Sequence, residues 1–191
     1  RGAAWAPDGT IIFSDSPGSG LSRVPVSGGE PQALTTLDAS RKEATHRWPQ
    51  VLPDGRTVLF TSHTSASEGF DRASIEAVRL DTGERTHIHS GGAYGRYAPS
   101  GHLIYLANNT IFAVPFDLGA LAVKGQPVPV VQDVTNFVGE GSANFTFGAN
   151  GVMAYMRGTP STPEHQIAWV DRDGRVTPLP LETGTYANPR L

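Results

Sequence analysis

Four short turns divide this chain at almost constant intervals. Ala6-Pro7-Asp8-Gly9, Leu52-Pro53-Asp54-Gly55, Ala98-Pro99-Ser100-Gly101 and Gly148-Ala149-Asn150-Gly151 stand 46, 46 and 50 residues apart. A period of that size marks an array in which each repeat is one supersecondary unit, unable to bury its apolar face alone and covered by its neighbours. The residue types serve backbone geometry: Pro presets φ, Asp or Asn bonds its own backbone two residues on, and Gly accepts positive φ. Pro7, Asp8, Gly9, Pro53, Asp54, Gly55, Pro99, Gly101 and Gly151 are therefore assigned a structural role.

After each turn comes a β-branched or aromatic run, at residues 10–13, 57–60, 103–105 and 152–155. A second run follows, at residues 21–26, 75–80, 111–116 and 167–170. Each reads as a strand. Gly-rich or Asp-rich turn signals come next at 27–29, 81–83 and 171–174, whereas the third unit has a longer loop from Asp117 to Gly125. A last strand closes each unit, at residues 31–35, 85–89, 127–131 and 176–180. Proline is dense in it and cannot donate to a central ladder, so this strand belongs at a sheet edge.

Four short antiparallel strands per repeat, the outermost rich in proline, make the blade of a β-propeller. The expected fold is all-β, with about four blades at residues 1–46, 47–92, 93–142 and 143–186, and residues 187–191 opening a further one. Trp5, Val51, Tyr97, Phe147 and Leu191 hold one register, each the last apolar residue before its turn. Both chain ends thus fall inside strands, so the expectation is an excerpt of a six- to eight-bladed ring, with a closed four-bladed ring as the alternative. Trp5, Trp48, Tyr97, Phe147 and Trp169 read as blade-to-blade packing.

Composition removes several function classes. The net charge is −3 and no basic stretch stands out, so there is no field to draw in nucleic acid. The absence of cysteine excludes disulfides, thiolate metal sites and cysteine nucleophiles. No apolar run approaches the length of a membrane helix, and the first residues lack a signal-peptide pattern.

Catalytic motifs are missing as well. There is no Gly-rich phosphate loop, nucleophile elbow or His-Glu-x-x-His pair. His46-Arg47 is followed by Trp48 where a kinase catalytic loop would need Asp. His87 and His89, two apart on a strand, share a face as metal ligands would, but no third ligand lies nearby. No catalytic residue, metal or cofactor is assigned.

The four units resemble the TolB-like, WD-type propeller repeat. Unit one carries the pattern almost throughout, in Ala6-Pro7-Asp8-Gly9, Ile11-Ile12-Phe13, Gly28-Gly29-Glu30 and Leu34-Thr35. Units three and four depart from it: Ser100 replaces the turn Asp, Ala149-Asn150 replaces Pro-Asp, and the Gly-Gly turn is missing. Thr36-Leu37-Asp38, His46-Arg47-Trp48-Pro49-Gln50 and the ending Tyr186-Ala187-Asn188-Pro189-Arg190-Leu191 are similar to propellers found C-terminal to bacterial serine/threonine kinases. That resemblance implies a non-catalytic, extracytoplasmic module, covalently linked to further blades and other domains. It implies no membrane contact by this segment and no nucleic-acid partner.

Alternation of strand direction puts the Pro-Asp-Gly and Gly-Gly turns at one end of every blade and the variable loops at the other. Recognition tends to reside on loops carried by a rigid scaffold. The candidate binding residues for an unknown protein or small-molecule ligand are Arg41, Lys42, His46, Arg47, Glu68, Phe70, Arg72, Tyr94, Arg96 and Asn144. Arg41-Lys42-Glu43 by itself reads as a solvated charge run. Two other functions fit the same scaffold: the gating propeller of a prolyl-oligopeptidase-like hydrolase, and a structural docking module of a periplasmic complex.

Overall fold

The computed structural model describes residues 1–64, 69–148, 150–158, 167–170, 173 and 175–182. It divides into two units, Arg1–Thr159 and Pro160–Leu191. All regular structure among the described residues is β.

The first unit begins with a four-stranded meander of β1 (Ala3–Trp5), β2 (Thr10–Phe13), β3 (Ser22–Pro25) and β4 (Gln32–Ala33). A second meander follows with β5 (Thr45–Val51), β6 (Thr57–His63), β7 (Ser74–Arg79) and β8 (Arg85–Ser90). The third sheet holds β9 (Ala93–Ala98), β10 (His102–Ala107) and β11 (Thr110–Asp117), with its outer position shared by β12 (Ala122–Val123) and β13 (Val128–Val131), both paired to β11. Hairpins β14 (Asn136–Phe137) with β15 (Ser142–Ala143), and β16 (Phe145–Phe147) with β17 (Met153–Tyr155), complete the unit. In the second unit β18 (Ala168–Val170) pairs antiparallel with β19 (Val176–Pro178).

The stretch 117–125, expected as a plain loop, contains β12. Asp117 Oδ1 accepts from the N–H groups of Gly119 and Ala120 at 2.8 and 3.0 Å. That turn brings Val123 back opposite Phe116.

Side-chain alternation along each strand assembles the blades face to face. Val58, Phe60 and Val78 share a buried cluster with Ala6, Ile12 and Leu21 of the first blade. Their neighbours Leu59, Ile75 and Ala77 point the other way, into a cluster with Leu103, Tyr105 and Val114 of the third. Leu106 and Ile111 face onward again, against Val134, Ala143 and Phe145. Each middle strand is thus buried on both faces, which is why β6 is apolar over Val58-Leu59-Phe60 rather than alternating with polar residues.

Of the residues expected to pack between blades, Trp48 of β5 meets Tyr94 of β9 at 5.4 Å, whereas the ring that Tyr97 meets at 6.1 Å, Phe116, belongs to its own sheet. Trp5 and Trp169 depart from that expectation, being 66% and 51% exposed.

The innermost strands repeat a backbone irregularity. Gly2, Trp48 and Tyr94, each 46 residues from the next, have φ of 84°, 58° and 55°. The β5–β6 register slips between Arg47 and Gln50, and that of β9–β10 slips at the equivalent place. A left-handed bulge of this kind re-aims side chains, here those of Arg47 and Arg96.

Candidate functional site

The two ends of the blades differ in chemistry. At the turn end, Asp54 Oδ1 accepts from the N–H groups of Arg56 and Thr57 at 3.0 and 2.9 Å, and Oδ2 from the Thr57 hydroxyl at 2.6 Å. Burial pushes the Asp54 carboxyl up, but these donors outweigh it and hold it below its ordinary value. Asp8 repeats the bond to Thr10 N–H at 2.9 Å, and Asn150 to Val152 N–H at 3.2 Å. Gly9, Gly55, Gly101 and Gly151 all have φ between 66° and 83°. An open groove of about 360 Å3 lies here beside Asp8, Arg23, Arg56 and Leu80. Its polar groups are largely committed to the fold, Arg23 donating to the Leu80 carbonyl at 3.0 Å.

The loop end holds the charged groups. Loop 38–44 enters β5 by folding Glu43 inward, and β7 presents Glu76 on the face that Val78 and Phe60 share. Both carboxylates are 1% exposed. Arg85 Nη2 lies 2.6 Å from an oxygen of each, Nε adds a second bond to Glu76 at 3.0 Å, and Nη1 a second to Glu43 at 3.0 Å. Arg41 closes the other side, at 2.6 Å from Glu76 and 3.3 Å from Glu43. Two carboxylates thus meet two guanidiniums, and Phe60 supports Arg85 at 5.6 Å.

His46 joins this cluster to the first blade. Its Nε2 lies 3.0 Å from Glu43 Oε2, and Nδ1 lies 2.8 Å from the Thr35 hydroxyl, which in turn accepts from Leu21 N–H at 2.8 Å. A neutral ring satisfies every group, with the proton on Nε2 donated to Glu43 and the Thr35 O–H donated to Nδ1. Burial and the Arg85 charge lower the His46 pKa, against the pull of Glu43. Burial raises the Glu43 carboxyl, but Arg85, the Asp38 N–H and His46 hold it at about 2.

A second cluster ties the loops together. Arg47 is 1% exposed, and its Nε donates to Thr45 Oγ1 at 2.9 Å. Its Nη1 reaches the Gly139 and Glu140 carbonyls at 3.3 and 3.2 Å, and its Nη2 reaches the Pro17 carbonyl at 3.3 Å. The guanidinium also lies 4.9 Å over Phe70. One side chain therefore holds loop 15–20, strand β5 and the β14–β15 hairpin together. Trp48 Nε1 reinforces it with a bond to the Glu140 carbonyl at 2.8 Å, and Arg1 pairs with the Glu140 carboxylate. Gly141 belongs here because its φ is 64° and an added Cβ would collide with Phe70.

Among the candidate binding residues, Lys42 and Arg72 are exposed, and Arg41 is 45% exposed while bound to the acidic pair. Tyr94, Arg96 and Asn144 are partly buried. His46, Arg47 and Phe70 are buried, which corrects their expected place on the surface: they knit the loops from within. Glu68 lies outside the described residues. The reading of Arg41-Lys42-Glu43 as a solvated run is also corrected, since Glu43 is interior. Sequence reasoning missed Glu43, Glu76, Arg85 and Gln50. Glu76 carried a visible signal, a lone charge within Ile75-Glu76-Ala77-Val78. Gln50 carried none; its amide donates to the Tyr97 carbonyl at 3.2 Å and accepts from Tyr97 N–H at 2.7 Å, bridging two blades.

His87 and His89 do not converge. His87 is exposed and 3.1 Å from the Ser90 hydroxyl, while the His89 ring packs on Tyr105 at 4.5 Å. No cluster of three or more metal-ligating side chains occurs among the described residues, and no helix among them is long and apolar enough to cross a membrane.

Successive antiparallel meanders with apolar seams between their faces define a β-propeller. The chain is similar to the TolB of Acinetobacter baumannii, at 21% identity and a TM-score of 0.55 over 94% of this chain and 43% of that one. It is also similar to a protein assigned as TolB from Agrobacterium tumefaciens, at 14% identity and a TM-score of 0.61 over 93% of this chain and 63% of that one. A puromycin hydrolase aligns at 17% identity and a TM-score of 0.53, over 88% of this chain and 28% of that one. The chain therefore spans less than two thirds of each of these proteins. No protein-family profile matches it, and no curated protein matches its sequence.

Proposed function

We propose that this segment is a non-catalytic binding module that engages a protein or small ligand through its loop end, in the extracytoplasmic part of a bacterial receptor of the serine/threonine-kinase type. The observation that carries the binding reading is the contrast between the ends. Turn-end polar groups are largely absorbed by repeated backbone bonds, whereas the loops are non-repeating in sequence and are braced from within by Arg47, Arg85 and the two glutamates. Such bracing keeps the ordering cost of a loop surface low when it binds. The kinase link is supported by the likeness of residues 36–38, 46–50 and 186–191 to kinase-associated propellers.

A second reading, a gating propeller attached to a hydrolase domain, is favoured by the likeness to puromycin hydrolase. The complete reading frame separates the two: an upstream apolar segment behind a kinase domain supports the receptor, and a downstream nucleophile elbow supports the hydrolase.

The binding claim is tested by selecting displayed peptides against the chain and re-measuring each selected binder on Lys42→Ser with Arg72→Ser, and on Arg56→Ser with Asp81→Ser. The proposal expects loss with the first pair and retention with the second; the reverse pattern overturns it.

A further inference from the structure

Arg41, Arg47, Arg85 and Arg96 each reach into the structure, and the first three have their charge or hydrogen-bonding capacity answered. Arg41 and Arg85 meet carboxylates, and Arg47 satisfies all three nitrogens with fixed oxygens. Arg96 differs. Both of its hydrogen bonds to the backbone leave from Nη1, to the Trp48 carbonyl at 2.8 Å and the Gly95 carbonyl at 3.4 Å, and its one side-chain partner among the described residues is the neutral Tyr94 hydroxyl. Its guanidinium lies 4.1 Å over the Tyr94 ring. No carboxylate is among its described partners. The Nε and Nη2 edge, which forks a carboxylate in bidentate pairs, is not spent on any backbone or carboxylate oxygen among the described residues.

Arg96 lines a cavity of about 140 Å3 with Gln50, Tyr94, Phe145, Thr146 and Phe147. Its walls are fixed. The Gln50 amide is locked to the Tyr97 backbone, Tyr94 and Phe145 meet edge to face at 5.4 Å, and Phe145 and Phe147 stack at 6.4 Å. The left-handed backbone at Trp48 and Tyr94 puts the Trp48 carbonyl and the Tyr94 ring against the guanidinium. A desolvated cation without an acidic partner is costly unless an anion completes it. Burial indeed lowers the Arg96 pKa despite Tyr94.

We infer that Arg96 and its aromatic walls form a binding site for a small monocarboxylate carrying an apolar group, the carboxylate forked by Arg96 and the apolar part set against Phe145 and Phe147. Gln50 and Phe147 stand beside the turns that close β5 and β16, so this site lies away from the variable loops, goes beyond the loop-end reading and is tested separately.

The test is an NMR titration of the 191-residue chain with benzoate, and in parallel with inorganic phosphate, following the Arg96 Nε–H signal and the Phe145 and Phe147 rings. The inference expects saturable benzoate shifts at all three residues, weaker binding of phosphate, and benzoate affinity reduced about tenfold in Arg96→Lys, which keeps the charge but loses the fork. Arg56→Gln, at an exposed arginine outside this site, should leave the affinity unchanged. Absence of saturation by about 10 mM, equal affinity for phosphate, or unchanged affinity in Arg96→Lys would overturn the site. Saturable benzoate binding alongside peptide binders that ignore the loop end would sustain the site and sink the wider reading. Loop-end peptide binding without benzoate saturation would do the opposite.

Discussion

Replacing Arg85 with Met removes the guanidinium from between two glutamates. Four of its hydrogen bonds go to carboxylates at 2.6 to 3.0 Å, and a fifth reaches the Thr36 carbonyl at 3.1 Å. The two carboxylates, 1% exposed in the native fold, would keep neutral donors on Glu43 from Asp38, His46 and Ser62, but their one remaining guanidinium would be Arg41, itself 45% exposed. Breaking a buried pair on one side costs about 3–5 kcal/mol, because a charge is left without compensation. For a chain of this size that is a fall in Tm of about 6–20 °C. Arg41→Met removes a more hydrated partner, and its cost should stay near 1 kcal/mol. Adding Glu43→Gln and Glu76→Leu to Arg85→Met should restore most of the loss, since an apolar substitute for a whole buried ionic group is close to neutral. Urea unfolding of the four proteins, followed by tryptophan fluorescence, measures these differences. A cost below about 1 kcal/mol for Arg85→Met, or equal costs for Arg85→Met and Arg41→Met, would refute the reasoning.

Acid should destabilise the fold in two stages. His46 is held below its ordinary value of 6.5 in the folded chain, so the unfolded chain takes up the proton first and stability falls as pH drops through 6.5. That slope should be reduced in a His46→Gln variant examined by urea unfolding between pH 7 and 5, the remainder coming from His89, whose pKa burial also lowers. Glu43, held at about 2 against 4.5, contributes about 3 kcal/mol that is present above pH 4.5 and lost between 4.5 and 2; Glu43→Gln should flatten the curve there. Asp54→Ala should cost about 1–3 kcal/mol by freeing two N–H groups and a hydroxyl, with ligand selectivity unchanged; selective loss of binding at an unaltered Tm would overturn the structural role of the turn. Gly141→Ala, at φ 64° and against Phe70, should loosen the β14–β15 hairpin, seen as faster amide exchange at Glu140 and Gly141.

The fold was legible because its signals are local and repeat. Pro-Asp-Gly turns, β-branched runs and proline-rich outer strands each report on a few adjacent residues, and a constant period multiplies them. The loop-end interior was not legible, because its partners are distant in sequence: Glu43 is 42 residues from Arg85, and Arg47 is 93 from Glu140. A basic residue before a tryptophan looks the same in sequence whether it meets solvent or three loops. Only the bulge at Trp48 turns Arg47 inward, and a non-glycine residue in left-handed backbone gives no signal of its own. Glu76 was the exception, since a charge on the face shared by Val78 and Phe60 has to find a cation.

Everything rests on the opposed faces of adjacent strands packing on different blades. Methyl NOE spectroscopy on the 191-residue chain measures this directly at Val58 and Leu59. Val58 should show contacts to Ile12 and Leu21 and none to Leu103, and Leu59 should show contacts to Leu103 and Val114 and none to Ile12. Both methyl groups contacting one of these blades, or neither contacting either, would contradict the propeller arrangement.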